Sequence, residues 1–382
     1  MNIHVFIVDS KTLKSHLEYM FAGTGATDKK FPFLQDAKAY CHHSTERNLV
    51  GMIADISRIR PKDKVIFYLQ ASEGKQGRFF GVFEVESFSF FDENDEKNYL
   101  ANQLGKGLAL RVRIKPDNVY QYGVTEREAL DELTGIEKPY QLCWSMIYRK
   151  LKGNRGCTMI TEYEFNALNM KLHVKNKGKI LKNTGFTFDD NEKRIINTDI
   201  NKNYIGRQNS LDIQPRLIYK AEKNNSFETH LQALIMQKFD SAPLKDKLLT
   251  LKNGSAWIGN EVSCGVGMQR IDIMIIENDA SEFHLRIIEL KDEKPVNNII
   301  DEQLPWYLKW TMQYVVPNLL YDGKKVIIHP CIIAKHTNDE SIINKIKTKQ
   351  MINVNICDVR VDNTEFIAFE INNESIEFNK IL

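Results

Sequence analysis

Between residues 261 and 294 the chain reads EVSCGVGMQRIDIMIIENDASEFHLRIIELKDEK, and no other stretch constrains its fold as tightly. Two Ile-rich runs, 270–276 and 284–291, flank a polar break holding Asn278, Asp279 and Ser281, a pattern that predicts a β-hairpin. Folding it symmetrically about residues 280 and 281 sets Asp272 opposite Glu289. Side chains alternate along a strand, so Glu289 and Lys291 share a face, and Asp272 joins them from across the ladder. Two carboxylates and an ammonium then converge on one side of an otherwise apolar sheet. That is the outline of a metal-and-water site.

The residue types fit that chemistry. Mg²⁺ takes oxygen ligands in near-octahedral geometry and keeps several waters, so Asp272 and Glu289 suffice to hold it beside a phosphate, with the Leu290 carbonyl as a further ligand. Mn²⁺ is the expected substitute ion. Lys291 is placed to orient or deprotonate the attacking water, or to neutralise charge developing on the phosphorus oxygens. The pattern Asp272…Glu289-Leu290-Lys291 resembles the PD-(D/E)XK nuclease superfamily. Upstream, SFETHLQALI puts Glu228 on a helix of the kind that supplies a further acidic residue there. Downstream, EQLPWYLKW carries Gln303 and Tyr307 at the Q-x-x-x-Y spacing of RecB-like members, one helical turn apart. The resemblance implies a catalytic set of Glu228, Asp272, Glu289, Lys291 and Gln303. Pro305 departs from a regular helix at this point and is expected to kink it.

At 382 residues the chain has room for two or three domains, each with its own core. The formal charge is only +2, so any face for nucleic acid must be a local patch. The six cysteines form no C-x-x-C pair, which argues against a disulfide framework and for a reducing cytosol. The N-terminal MNIHVFIVDSK is too poor in apolar residues for a signal peptide, and no apolar run approaches the length of a membrane span.

In the first part, residues 3–8 predict a strand, 11–20 a helix, 21–30 a glycine-containing loop and 49–59 a second helix. Strands are expected at 65–69, 78–86 and 108–114. HVFIVDSK, DISRIRPKDKVIFYLQ and GRFFGVFEVES together resemble the PUA-like β-barrels, a group that includes EVE and YTH domains. AYCHHSTERN is similar to the YTH stretch in which an aromatic-Cys pair, here Tyr40-Cys41, lines a modified-base pocket. The resemblance covers residues 1–164 and implies a barrel that holds one extruded base between aromatic planes. By position, Tyr40, Trp144 and Tyr68 are the candidate walls, and Ser10, Asp9 and Asn48 the candidate polar contacts. A Tyr or Trp in a small barrel equally serves as core. Arg149, Lys150, Lys152 and Arg155 cluster around two glycines, as in a phosphate-contacting loop or a solvated turn.

Residues 165–225 are rich in Lys and Asn and weak in periodicity, so they read as a connector, with LHV and TGFTF as short strand candidates. Residues 226–382 then form the second domain. Ser226 is the expected N-cap of the Glu228 helix. After the hairpin and the Gln303 helix come a strand at 325–334, a helix at 339–349, a strand at 353–361 and a closing antiparallel strand at 366–371. The fold class is α/β (α+β): a PUA-like barrel with helices, then a restriction-endonuclease-like mixed sheet flanked by helices.

The combined expectation is a Mg²⁺-dependent endonuclease that flips a modified base out of double-stranded DNA and cuts the backbone, in restriction of modified foreign DNA. A nuclease acting on RNA or damaged DNA, or a non-catalytic nucleic-acid-binding protein, is the alternative. One site per chain cuts one strand, so cutting both calls for a homodimer.

Overall fold

The computed structural model describes residues 2–25, 31–72, 76–94, 97–130, 137–141, 156–182, 184–199, 202–251, 255–264, 269–349, 351–354, 356–372 and 374–382. The chain is a mixed α/β protein of two compact units. The first comprises Met1–Gln35, Tyr40–Glu137 and Leu142–Leu211; the second comprises Asp36–Ala39, Lys138–Gln141 and Asp212–Leu382.

The first unit is built on an eight-stranded curled half-barrel sheet. Ile3–Val8 lies next to the edge strand Cys157–Ile160, antiparallel to it and parallel to Lys64–Leu69. Lys64–Leu69 continues antiparallel to Arg78–Val85, then to Leu110–Pro116 and Phe21–Thr24. The parallel pair needs a crossover, and the helix His43–Ser57 lies within it. That helix starts six residues earlier than its apolar run at 49–59 predicts, with a polar first turn in which His43 and Ser44 are exposed and Glu46 is buried, while Leu49, Val50, Ile53 and Ile56 fill the core. Phe21–Thr24, expected as loop, is a fully buried strand instead. Asp9 starts the helix Ser10–Tyr19 with a capping box to Thr12.

Residues 165–211 belong to the first unit, and the division between the units falls at Leu211 and Asp212. Thr161 and Glu164 form a capping box for the helix Glu162–Lys175, so LHV is the end of a helix and not a strand. Only Phe165, Leu168 and Leu172 of that helix reach the core, where they meet Ile3, Val5, Tyr68 and Phe79. The expected TGFTF hairpin is present, with Phe186–Asp189 paired to Arg194–Asn197. Its Phe186 and Phe188 stand edge-on to Phe83 and Phe80.

The second unit is a seven-stranded mixed sheet. Ser255–Ser263, Arg270–Asn278 and Glu282–Leu290 run antiparallel in sequence; Lys325–Lys335 then adds parallel to Glu282–Leu290. Glu365–Ile371 also adds parallel, against the expectation of an antiparallel closing strand. The helix Glu340–Thr348 lies in the crossover that a parallel neighbour requires, and Ile376–Lys380 supplies the antiparallel edge. Of the strand expected at 353–361, among the described residues only Val359–Val361 is paired. Among the described residues no disulfide joins the cysteines and no helix is long and apolar enough to cross a membrane.

Candidate active site

The hairpin folds in the register its sequence predicts. Ile273 pairs with Ile288 and Asn278 with Phe283, so one further step brings Asp272 level with Glu289. The ladder opens there because the Asp272 carboxylate takes the Leu290 N–H at 2.8 Å. Glu289 is 2% exposed, and its Oε2 has no hydrogen-bond partner. Lys291 Nζ lies 3.0 Å from Glu289 Oε1 and 3.1 Å from Glu228 Oε2. The four side chains the sequence singled out as Glu228, Asp272, Glu289 and Lys291 therefore meet at one rim of the sheet.

The local electrostatics follow from burial. Burial and then the charge of Glu289 push the Asp272 carboxyl well above the usual carboxylate range. Burial raises Glu289 as well, against the pull of Lys291. For Lys291 burial acts downward, but Glu289, Glu228 and Asp272 outweigh it and hold the ammonium above its ordinary value.

Two residues with no signal in the sequence, Asp292 and Gln232, support the site. Ser226 does not cap the Glu228–Lys238 helix by its own side chain; Asp292, two residues past the end of the hairpin's second strand, does so. One Asp292 oxygen accepts from Ser226 Oγ at 2.6 Å, Phe227 N at 2.6 Å and Glu228 N at 3.1 Å. One turn along the helix, Gln232 donates to the Asp272 carbonyl at 3.0 Å. Downstream, Ile299–Gln303 is a π-helical turn leading into the α-helix Leu304–Tyr314. Pro305 thus sits in the first turn of an α-helix, where its missing N–H is harmless, and the irregularity falls before it. Tyr307 is buried; burial, then Glu289 and Asp272, raise its hydroxyl above the ordinary value, so it faces the carboxylates. Gln303 ends the π turn and makes no hydrogen bond to them among the described residues.

A divalent ion fits these groups. Among the described residues no three His, Cys, Asp or Glu side chains stand ready-made as a metal cage. Two carboxylates are nonetheless what Mg²⁺ asks of a protein. The partnerless Glu289 Oε2 and the mutually repelling Asp272 and Glu289 are the groups such an ion would satisfy.

The proposed base-pocket residues are not gathered in this way. Tyr68 is 1% exposed, packs on Phe79 and donates to Glu126 at 2.9 Å, so it is core. Asp9 is spent on its helix cap and on Lys106 at 2.5 Å, while Ser10 accepts from Lys193 at 3.1 Å. Asn48 lies on the solvent side of the His43–Ser57 helix. Tyr40 is 86% exposed, open to stack on a ligand but not part of an enclosed cage. Trp144 and the basic cluster of Arg149, Lys150, Lys152 and Arg155 lie outside the described residues.

No family model and no curated protein matches the chain. It is similar to solved structures that include a hypothetical protein from Leishmania major, at 11% identity and a TM-score of 0.28 over 46% of this chain and 97% of that one. Human THYN1 protein in complex with 5-methylcytosine-containing DNA is similar at 11% identity and a TM-score of 0.25, over 45% of this chain and 98% of that one. The DUF55 domain of human thymocyte nuclear protein 1 matches at 11% identity and a TM-score of 0.25, over 44% and 97%. At these TM-scores the chemistry rests on the residues themselves.

Proposed function

We propose that this chain is a Mg²⁺-dependent endonuclease for double-stranded DNA carrying a modified base. The second unit would hydrolyse the phosphodiester and the first, read as a PUA-like barrel, would hold the base. The observation that carries the reading is the position of the Lys291 ammonium, 3.0 Å from Glu289 and 3.1 Å from Glu228, beside the half-buried Asp272.

Asp272 and Glu289 would hold the ion, with the Leu290 carbonyl as a candidate third ligand. When bound, Mg²⁺ supplies Lewis-acid stabilisation of a phosphoryl oxygen and a more acidic water. Lys291, held between Glu289 and Glu228, would orient the attacking water and offset charge developing on the phosphorus oxygens. Glu228 fixes the direction of the ammonium. Tyr307 closes the apolar side and helps exclude bulk solvent. In the first unit, Tyr40 offers an open aromatic face for an extruded base, a contact worth ~1–3 kcal/mol. Restriction of modified foreign DNA is the biological role that such a pairing of reader and cutter serves, and a homodimer would supply the second strand cut.

The test is cleavage of matched duplexes carrying plain, 5-methyl- or 5-hydroxymethylcytosine. With Mg²⁺ the full chain is expected to cut one modified duplex about tenfold to a hundredfold faster than the plain one, the range one buried methyl-sized contact provides. Tyr40→Ala should erase that preference and leave the salt dependence of binding unchanged, since it touches no phosphate. Cutting of RNA alone would redirect the reading to an RNA nuclease; binding without any cutting would make the protein a non-catalytic binder.

A further inference from the structure

The Glu228–Lys238 helix begins without a cap of its own. Its N-cap residue is Phe227, whose side chain cannot accept a hydrogen bond, and the first N–H groups of any helix need acceptors. Asp292 supplies one from 64 residues away, with a single carboxylate oxygen shared by Ser226 Oγ, Phe227 N and Glu228 N. A negative charge at a helix N-terminus is favourable in addition to the hydrogen bonds it accepts.

Asp292 directly follows Lys291, so the dipeptide holds Glu228 twice, once by its backbone and once by its side chain. Asp292 holds the backbone of 227 and 228, and Lys291 holds the Glu228 side chain at 3.1 Å. The strand itself ends at Leu290, where the Lys291 N–H still donates to Ile333 O at 2.9 Å. Lys291 is therefore anchored through its backbone on one side and flanked on the other by a residue tied to a helix.

We infer that Asp292 is a positioning residue: by capping the Glu228 helix it keeps the Lys291 ammonium between Glu289 and Glu228. This deepens the nuclease reading and rests on it for its catalytic consequence, but the geometric claim stands apart from activity. Without the cap the helix start is free to shift, Glu228 moves with it, and the ammonium loses one of its two anchors. Displacement of a catalytic group by about 1 Å is enough to cost on the order of a hundredfold.

The experiment uses the full chain and the variants Asp292→Ala, Asp292→Glu and Ser226→Ala, with two readouts. In the first, cleavage of a 5-methylcytosine duplex with Mg²⁺, Asp292→Ala should lower kcat by about tenfold to a hundredfold with KM within about twofold. Ser226→Ala, which removes one of three donors, should lose less than about threefold, and Asp292→Glu should restore part of the rate. Adding Asp292→Ala to Glu228→Ala should cost no more than Glu228→Ala alone, because both act through one anchor. The second readout is acetylation of Lys291 by acetic anhydride followed by mass spectrometry, which needs no activity. Its rate should rise about fivefold in Asp292→Ala while that of the exposed Lys309 stays constant. If the wild type cuts no duplex, the nuclease reading fails and the acetylation arm still decides the geometry. Unchanged Lys291 reactivity, or a multiplicative loss of rate with Glu228→Ala, would overturn the inference. Should Asp292→Ala fail to fold, Ser226→Ala and Asp292→Glu carry the same comparison at smaller amplitude.

Discussion

Asp272→Asn is expected to lower the cleavage rate on the order of a thousandfold, ~4 kcal/mol of transition-state stabilisation, while leaving DNA affinity within about twofold. The amide keeps the size of the side chain and an oxygen to accept the Leu290 N–H, so the hairpin end is preserved. What it loses is the negative charge that a divalent ion needs. The same change removes repulsion between the half-buried Asp272 and the buried Glu289, the first of which is held well above the usual carboxylate range by desolvation and by its neighbour. Thermal stability should therefore hold or rise as activity falls. Glu289→Gln should lose activity to a similar extent, while also giving up the ion pair of its Oε1 with Lys291 at 3.0 Å. A structural carboxylate pair would give the opposite pattern, with stability lost and rate retained. Measuring rate and melting temperature on the same preparation separates the two.

The second large effect concerns the first unit. Arg111 is fully buried; it donates to Leu108 O at 2.6 Å, to Tyr204 OH at 2.9 Å and to Tyr99 O, and stands 3.8 Å from the buried Asp92. Its guanidinium lies over the rings of Phe21, Tyr99 and Tyr204. Tyr204 in turn donates to Asp92, and Arg207 N donates to the other Asp92 oxygen at 3.1 Å. A Cβ at Gly206 would run into that carboxylate, which is why the chain passes there with glycine. Arg111→Ala leaves Asp92 buried without its cation, and breaking such a pair costs ~3–5 kcal/mol. For a unit of this size that is a fall of roughly 6–20 °C in Tm. A loss under about 1 kcal/mol would mean that Asp92 finds water once Arg111 is gone.

The centre of the second unit was the most legible part of the chain. Two Ile-rich runs about a short polar break leave one register that buries both apolar faces, and that register alone sets Asp272 by Glu289. The strand Ser255–Ser263 escaped notice because Gly259 and Asn260 interrupt its apolar pattern, although Asn260 is buried and donates to Gln232 at 3.4 Å. Asp292 escaped for a different reason. A cap supplied from 64 residues away leaves no local spacing to read. The helix Glu162–Lys175 was hidden by its narrow stripe, with Phe165, Leu168 and Leu172 alone carrying the packing. The orientation of Glu365–Ile371 depends on a crossover helix, Glu340–Thr348, whose packing the period of the strand does not encode. Base-pocket candidates chosen by position fared unevenly, since aromatic character is shared by core and by cage. Tyr68 is core through Phe79 and Glu126, and only its neighbours in space reveal that.

The most direct measurement is a crystal of the full chain soaked in Mn²⁺ and recorded at an anomalous wavelength. The account predicts one strong peak within about 2.2 Å of a carboxylate oxygen of both Asp272 and Glu289, with the Lys291 ammonium close by and the peak absent from Asp272→Asn. No peak between those two carboxylates at saturating Mn²⁺, or a peak that persists unchanged in Asp272→Asn, would contradict it.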